Sequence, residues 1–321
     1  MILQLGSKSD EVRQVQAKLT GLKLYSGAID GDFGGGTLSA VKQYQQSAGL
    51  AVDGAVGDAT WQHLFGSPPA ALALTTGPLQ GRCLGLTGAF ETNSSYPDYF
   101  SGISGDFDGQ GMSYGVLQWN FGQNSLQPLL QEFVGYHPTT AQTVFGDHLP
   151  ALHVALVADP AGQMDFVRSI QHPVQHTIYQ PWLGYFKALG RTPEFQAIET
   201  AAATRVYTDA LDLCRTYGLK SERAAALMFD IKTQNGTIGP DTAAQIRRDF
   251  LVIPASLTNW DREVAQLRIV ANRRAEAANS RWVDDVRARK LCCANGGGLV
   301  HNIHYDLEQQ FGIRLEAVPG L

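Results

Sequence analysis

Glu91, Asp106 and Asp108 stand close together in a stretch, residues 86–120, whose composition changes sharply along its length. Glu91 follows a short apolar segment containing Leu84, Leu86, Ala89 and Phe90, whereas the two aspartates lie on the glycine-rich run Gly105 to Gly111. Glycosidic bond cleavage uses one carboxyl kept protonated by poor solvation and a second kept ionised in a polar setting. Glu91 suits the first role, as general acid. Asp108 suits the second, as the base that activates water, with Asp106 as the alternate base. The run from Ser113 to Asn120 then supplies Ser113, Tyr114, Gln118, Trp119 and Asn120 as a polar and aromatic wall for a substrate. Gln234 and Asn235, which follow Met228-Phe229-Asp230-Ile231, add two amides at a helix end that reach a sugar or cap the backbone.

Other chemistries fit less well. Asp106-Phe107-Asp108-Gly109 begins like a calcium loop, but the twelfth position is Leu117, where a bidentate Glu is required. His301-x-x-His304 with Asp306, and the pair His172 and His176, lack the intervening Glu of H-E-x-x-H, and no C-x-x-C occurs. No metal and no cofactor are therefore expected. Cys83, Cys214, Cys292 and Cys293 are irregularly spaced, and the adjacent pair is poorly suited to bridging itself, so reduced buried thiols are expected. The charge run 284–290 and the glycines 296–298 before His301 read as a loop-rich wall.

The elements that must position these residues are mainly helical. In residues 1–66, Asp10 is placed to cap a helix carrying Val12, Val15, Gln16 and Leu19 on one face. The turn Ile29-Asp30-Gly31-Asp32-Phe33-Gly34 follows, then a helix capped by Thr37, and the turn recurs as Val52-Asp53-Gly54-Ala55-Val56-Gly57 before Thr60-Trp61. This is an internal repeat. Residues 67–81, with Pro68, Pro69 and Pro78, have linker composition. Beyond them, Ser125 is expected to cap a helix carrying Leu126, Leu129, Leu130 and Phe133, and further helices are expected at 162–171, 179–189, 193–217, 221–233, 241–250, 262–279 and 305–311. Hairpin character is confined to 105–119. The expected fold is thus mainly α: a small three-helix domain at 1–66, a linker at 67–81, and a larger α+β domain at 82–321 with a small β-hairpin.

The repeat resembles the three-helix peptidoglycan-binding domain found beside wall-degrading enzymes, through Leu5-Gly6, Val15-Gln16, Ile29-Asp30-Gly31, Phe33-Gly34, Gln45, Val52-Asp53-Gly54 and Thr60-Trp61. That resemblance implies wall binding through Asp30, Phe33, Asp53 and Trp61. A Glu before a glycine-rich hairpin that runs into Gly115-Val116-Leu117-Gln118 resembles the lysozyme-like superfamily, and Asp108-Gly109-Gln110-Gly111 is most similar to its chitosanase-like branch. Together they imply a modular muramidase of the endolysin or delivered-effector kind, acting on peptidoglycan glycan strands. A lytic transglycosylase, a chitosanase and a non-catalytic wall-binding protein are the alternatives.

Composition sets limits. At 44% hydrophobic and 17% charged residues, the 321-residue chain is long enough for two domains and is not disordered in composition. A net charge of −5 argues against nucleic-acid partners. No apolar run approaches the roughly 20 residues that span a bilayer, so no membrane insertion is expected, and a monomer is. The N-terminal MILQLGSKSDEVRQVQ has no basic region followed by a long apolar stretch. The expectation is synthesis in the cytoplasm without a classical signal peptide and action on peptidoglycan in the periplasm or wall.

Overall fold

A computed structural model describes residues 3–7, 10–66, 75–94, 97–107 and 109–321. The chain forms two compact units, one from Met1–Asn93 with Arg205–Leu321 and the other from Ser94–Thr204. The fold is mainly α, as expected, with small antiparallel sheets. Elements are numbered in chain order.

The N-terminal part of the first unit holds α1 (Asp10–Gly21), α2 (Gly35–Ala48) and α3 (Asp58–Phe65). Their apolar faces close on a core of their own that includes Val12, Val15, Leu19, Phe33, Val41, Val56, Trp61 and Leu64. The repeat has a specific physical basis. The fully buried Gln16 side chain donates to Asp30 Oδ1 (2.9 Å), the Asp32 carbonyl (3.0 Å) and Thr37 Oγ1 (3.2 Å), and accepts from the Gly31 N–H (2.9 Å). Gln45 repeats this with Asp53 (2.8 Å), the Ala55 carbonyl (2.8 Å), Thr60 (3.2 Å) and the Gly54 N–H (2.9 Å). Each glutamine satisfies a turn that would otherwise bury unpaired backbone groups. Thr37 consequently lies inside α2, whose N-cap is Gly34, and does not cap it.

The helix α4 (Leu79–Thr92) begins within the expected linker, of which residues 67–74 lie outside the described part. Eight consecutive residues, Cys83 to Phe90, are buried, which identifies a central helix covered on all sides.

The second unit opens with a three-stranded antiparallel sheet, β1 (Ile103–Ser104), β2 (Ser113–Tyr114) and β3 (Trp119–Asn120), in the order β1-β2-β3. Ile103 pairs with Tyr114, and Tyr114 with Trp119. Six helices follow: α5 (Gln127–Tyr136), α6 (Pro138–Phe145), α7 (Leu149–Val157), α8 (Pro160–Ser169), α9 (Trp182–Leu189) and α10 (Pro193–Ala202). All but α9 carry Pro in the first turn, where its missing N–H costs no helical hydrogen bond. Their core includes Phe121, Phe133, Phe145, Phe186 and Phe195. Ser125 does not cap α5; its hydroxyl accepts from the Asn120 N–H (2.7 Å).

The chain then returns to the first unit with α11 (Thr204–Tyr217), α12 (Glu222–Asn235), α13 (Pro240–Leu251), α14 (Asn259–Glu276), α15 (Val283–Asn295) and α16 (Leu307–Phe311). The single helix expected at 193–217 is two, α10 and α11. Ala203 between them keeps nearly helical dihedrals (φ −73°, ψ −11°), so no turn residue marks the break. Helix α12 is a second central helix, with Ala224 to Ile231 all buried, and it packs on α4 and α15. The charge run 284–290 is not a loop wall: it lies on α15, with Arg289 and Lys290 buried. After it, β4 (Gly297–Val300) and β5 (Ile303–Asp306) form a hairpin. His301 and Asn302 occupy its two-residue turn, both at positive φ (49° and 64°), as type I′ turns require. Tyr305 is therefore in a strand and not in the helix expected at 305–311.

Candidate active site

Glu91 lies in the last turn of α4, and its side chain is 22% exposed. The helix beneath it is apolar, as expected, but the carboxylate itself meets charge: Arg289 Nη2 donates to Glu91 Oε1 at 2.7 Å. The same nitrogen donates to Asp230 Oδ1 at 2.6 Å, and Lys290 Nζ donates to Asp230 Oδ2. Phe90 backs the guanidinium, whose carbon lies 5.3 Å from the ring centroid. Asp230 and Lys290 are fully buried and Arg289 is 3% exposed. Burial by itself would push the Asp230 carboxyl up, but the charges of Arg289 and Lys290 outweigh it and lower it to about 2. Burial likewise opposes the charge on Arg289, and Asp230 with Glu91 overcomes it.

Thus α4, α12 and α15 each contribute to one buried ion cluster that ends at Glu91. Arg289 and Lys290 have no motif of their own in the sequence. The usable signal was Asp230: a carboxylate inside a run that is otherwise apolar must be met by a cation.

Beside Glu91 runs a groove of about 550 Å³ lined by Phe90, Asn235, Arg274, Trp282 and Arg289, among others. Of the two expected amides, Gln234 is committed to its neighbours, donating to Asp285 Oδ2 (2.7 Å) and accepting from Lys290 (2.7 Å). Asn235 lines the groove, and its Oδ1 is shielded from solvent without a hydrogen-bond partner among the described residues. His301 Nδ1 lies 2.7 Å from Asn93 Oδ1, and its Nε2 is hydrogen-bonded to Asp285.

In the second unit, Asp106 is 9% exposed; its Oδ1 accepts from the Gly111 N–H (2.8 Å) and its own N–H donates to Gln171 Oε1 (2.9 Å). These bonds brace the glycine-rich loop. Asp108 lies outside the described residues.

The expected substrate wall largely serves the sheet instead. Tyr114 is fully buried and donates its hydroxyl to the Phe186 carbonyl (2.6 Å), so it belongs to the core and not to a sugar-binding surface. Asn120 is 7% exposed and spends its amide on the Gly111 carbonyl (3.2 Å), Ser113 Oγ (3.1 Å) and the Gln123 N–H (3.1 Å). Gln118 donates to the Gly115 carbonyl (2.8 Å) and accepts from Ser104 (3.3 Å). Trp119 packs partly against the core. In these positions polar side chains satisfy a sheet too short to satisfy itself.

Phe33 and Trp61 are likewise core residues, 0% and 4% exposed, and not a wall-binding face. Asp30 and Asp53 are exposed, but one oxygen of each holds its turn, accepting from the Asp32 and Ala55 N–H groups (2.9 Å each). The four cysteines are free and buried; burial pushes all four thiols up, Cys214 to about 12, so none is an activated nucleophile. Among the described residues, no group of three or more His, Cys, Asp or Glu is placed to hold a metal ion, and no helix is long and apolar enough to cross a membrane.

Residues 8–64 match the family profile of the peptidoglycan binding domain, so the chain carries that module at its N-terminus. The spore cortex-lytic enzyme of Oceanobacillus iheyensis is 39% identical over 59 residues, 18% of this chain and 21% of that protein. The zinc D-Ala-D-Ala carboxypeptidase of Streptomyces albus G is 41% identical over 68 residues, 20% of this chain and 26% of that protein. The chain thus spans only about a fifth to a quarter of the length of these curated relatives. Among solved structures, a chitosanase complex is similar at a TM-score of 0.46 and 18% identity, covering 72% of this chain and 98% of that one.

Proposed function

We propose that the protein is a peptidoglycan hydrolase that cleaves the β-1,4 glycan backbone of the bacterial wall by a lysozyme-type reaction. In this reading residues 1–66 hold the wall, 67–81 link, and 82–321 are catalytic. The observation that carries it is Glu91, a partly exposed carboxylate at a groove, fixed from below by a buried guanidinium. Glu91 gives its proton to the leaving glycosidic oxygen. Arg289 then stabilises the carboxylate that remains, and because one nitrogen of Arg289 also serves Asp230, its hold on Glu91 is shared. The peptidoglycan binding module at residues 8–64 supports the wall as the polymer. The water-activating base is Asp108, with Asp106 as alternate; the bond from Asp106 to the Gly111 N–H favours that order. The same reaction serves a phage endolysin or a delivered wall-lytic effector.

Glu91→Gln should bind sacculi normally yet lose about 10²- to 10⁴-fold in glycan cleavage, the usual contribution of general acid catalysis. Near-normal release of fragments would overturn the assignment. In the same assay Asp108→Asn should lose far more than Asp106→Asn, and the reverse ranking would move the role of base to Asp106. Mass spectrometry of the fragments distinguishes hydrolysis, which leaves reducing ends, from transglycosylation, which leaves anhydro sugars.

A further inference from the structure

One of the charged side chains around the groove beside Glu91 has no ion-pair partner among the described residues. Asp230 is held by Arg289 and Lys290, and Arg289 also donates to Glu91. Asp285 is engaged by Gln234 and His301. Arg274, at the C-terminal end of α14, also lines the groove, and among the described residues it has no ion-pair or hydrogen-bond partner. Its neighbour Arg273 takes both nearby carboxylates, Asp249 (2.6 Å) and Glu276 (2.8 Å). Arg274 Nε is shielded from solvent, and the half-buried guanidinium is disfavoured by burial alone with no compensating anion. A guanidinium stays charged in proteins, so Arg274 brings to the groove a positive charge with no carboxylate paired to it among the described residues. Asn235 adds a second shielded polar atom without a partner among the described residues. At the rim Trp282 is 51% exposed, with the Arg281 guanidinium carbon over its ring at 4.8 Å.

We propose that Arg274 binds a carboxylate carried by the glycan, so that the groove selects an acidic amino-sugar polymer and rejects a cationic one. This inference rests on the reading of the groove as a glycan site. A guanidinium fork matches a carboxylate with two parallel hydrogen bonds. A polymer of free glucosamine presents ammonium groups instead, and these would meet Arg274 as like charges. Two sources of carboxylate exist in wall glycan: the lactyl group of peptide-free muramic acid, and the stem peptide of substituted strands.

The test is calorimetric binding to the full-length protein in a Glu91→Gln background, where no bond is cut. The ligands are peptide-free wall oligosaccharides, peptide-bearing ones, neutral N-acetylglucosamine oligomers and glucosamine oligomers. Arg274→Gln should weaken binding of a carboxylated ligand by about ten- to hundredfold, the range of a hydrogen bond to a charged group. It should leave the neutral oligomers unchanged and improve the glucosamine oligomers. Arg274→Lys should restore part of the loss. Loss confined to peptide-free fragments identifies the lactyl group, and loss confined to peptide-bearing ones identifies the stem. Equal binding of carboxylated ligands by Arg274→Gln and its parent, or an equal loss on neutral oligomers, would overturn the proposal. Because binding is read without cleavage, an enzyme that releases nothing from sacculi would refute the hydrolase reading while leaving this result to stand on its own.

Discussion

Asp230 has no exposed surface, and its charge is tolerated because Arg289 and Lys290 reach it from α15. A lone buried carboxylate would protonate instead. Its carboxyl lies at about 2 against an ordinary 3.8, so the folded-state value is the lower one. The stability this contributes is present above about pH 4 and is lost as pH falls toward 2, on the order of 2 kcal/mol. Asp230→Asn leaves the buried Lys290 without its anion and Arg289 with Glu91 alone, and should cost about 3–5 kcal/mol in urea unfolding at pH 7. The gap between wild type and variant should narrow as the pH approaches 2. A gap that did not change with pH would mean that the cluster is not held by charge.

The β2–β3 hairpin illustrates the same principle at the scale of an element. Its turn passes so close to α10 that a Cβ added to Gly115 would lie 1.8 Å from Glu199 Oε1, and Gly115 has φ +85°, where side chains are strained. Glu199 is fully buried and accepts from the Val116 N–H (3.1 Å). Burial raises its carboxyl well above the usual range, against the lowering effect of that bond. With the folded-state value above the unfolded one, the stability Glu199 contributes is fully present below about pH 4.5 and is lost as pH rises through the folded value. Glu199→Gln keeps an acceptor for Val116 without an ionisable proton, so its melting temperature should match wild type in acid and exceed it increasingly toward neutral pH. Glu199→Ala, which leaves the Val116 N–H unpaired, should cost about 1–3 kcal/mol. A Gln variant that melts below wild type at pH 7 would show that the ionised carboxylate is the stabilising form.

For the whole molecule, the decisive feature is that residues 1–66 have a hydrophobic core of their own. Their removal should spare the second unit's core and the ion cluster at Glu91. Tethering raises local substrate concentration only when both modules engage one polymer, and the gain is then about 10² or more. Deletion of residues 1–66 should therefore slow release from intact sacculi by about that factor and leave turnover of small soluble glycan fragments unchanged. Equal rates on sacculi would remove the anchoring role. Full-length protein that cuts chitosan but releases nothing from sacculi would replace the wall reading by the chitosanase one.

The sequence by itself determined whatever depends on near neighbours. The D-G turns at Asp30 and Asp53, the repeated spacing around them, the mainly helical character and the binding module at residues 8–64 were all legible, because turn geometry and helix periodicity are set by residues a few positions apart. The glutamines were visible as landmarks but not as the braces of those turns. What only the tertiary structure decided is which faces meet. Phe33, Trp61 and Tyr114 looked like ligand-facing aromatics and are core, since an aromatic side chain fits either place. Arg289 and Lys290 read as part of a loop-rich wall and are buried, since Asp230, reached only when α12 packs on α15, supplies the opposite charge. Glu91 and Arg289 are 198 positions apart. No local rule couples residues at that distance, and the cost of burying an unpaired charge, which does couple them, applies only once the helices are packed.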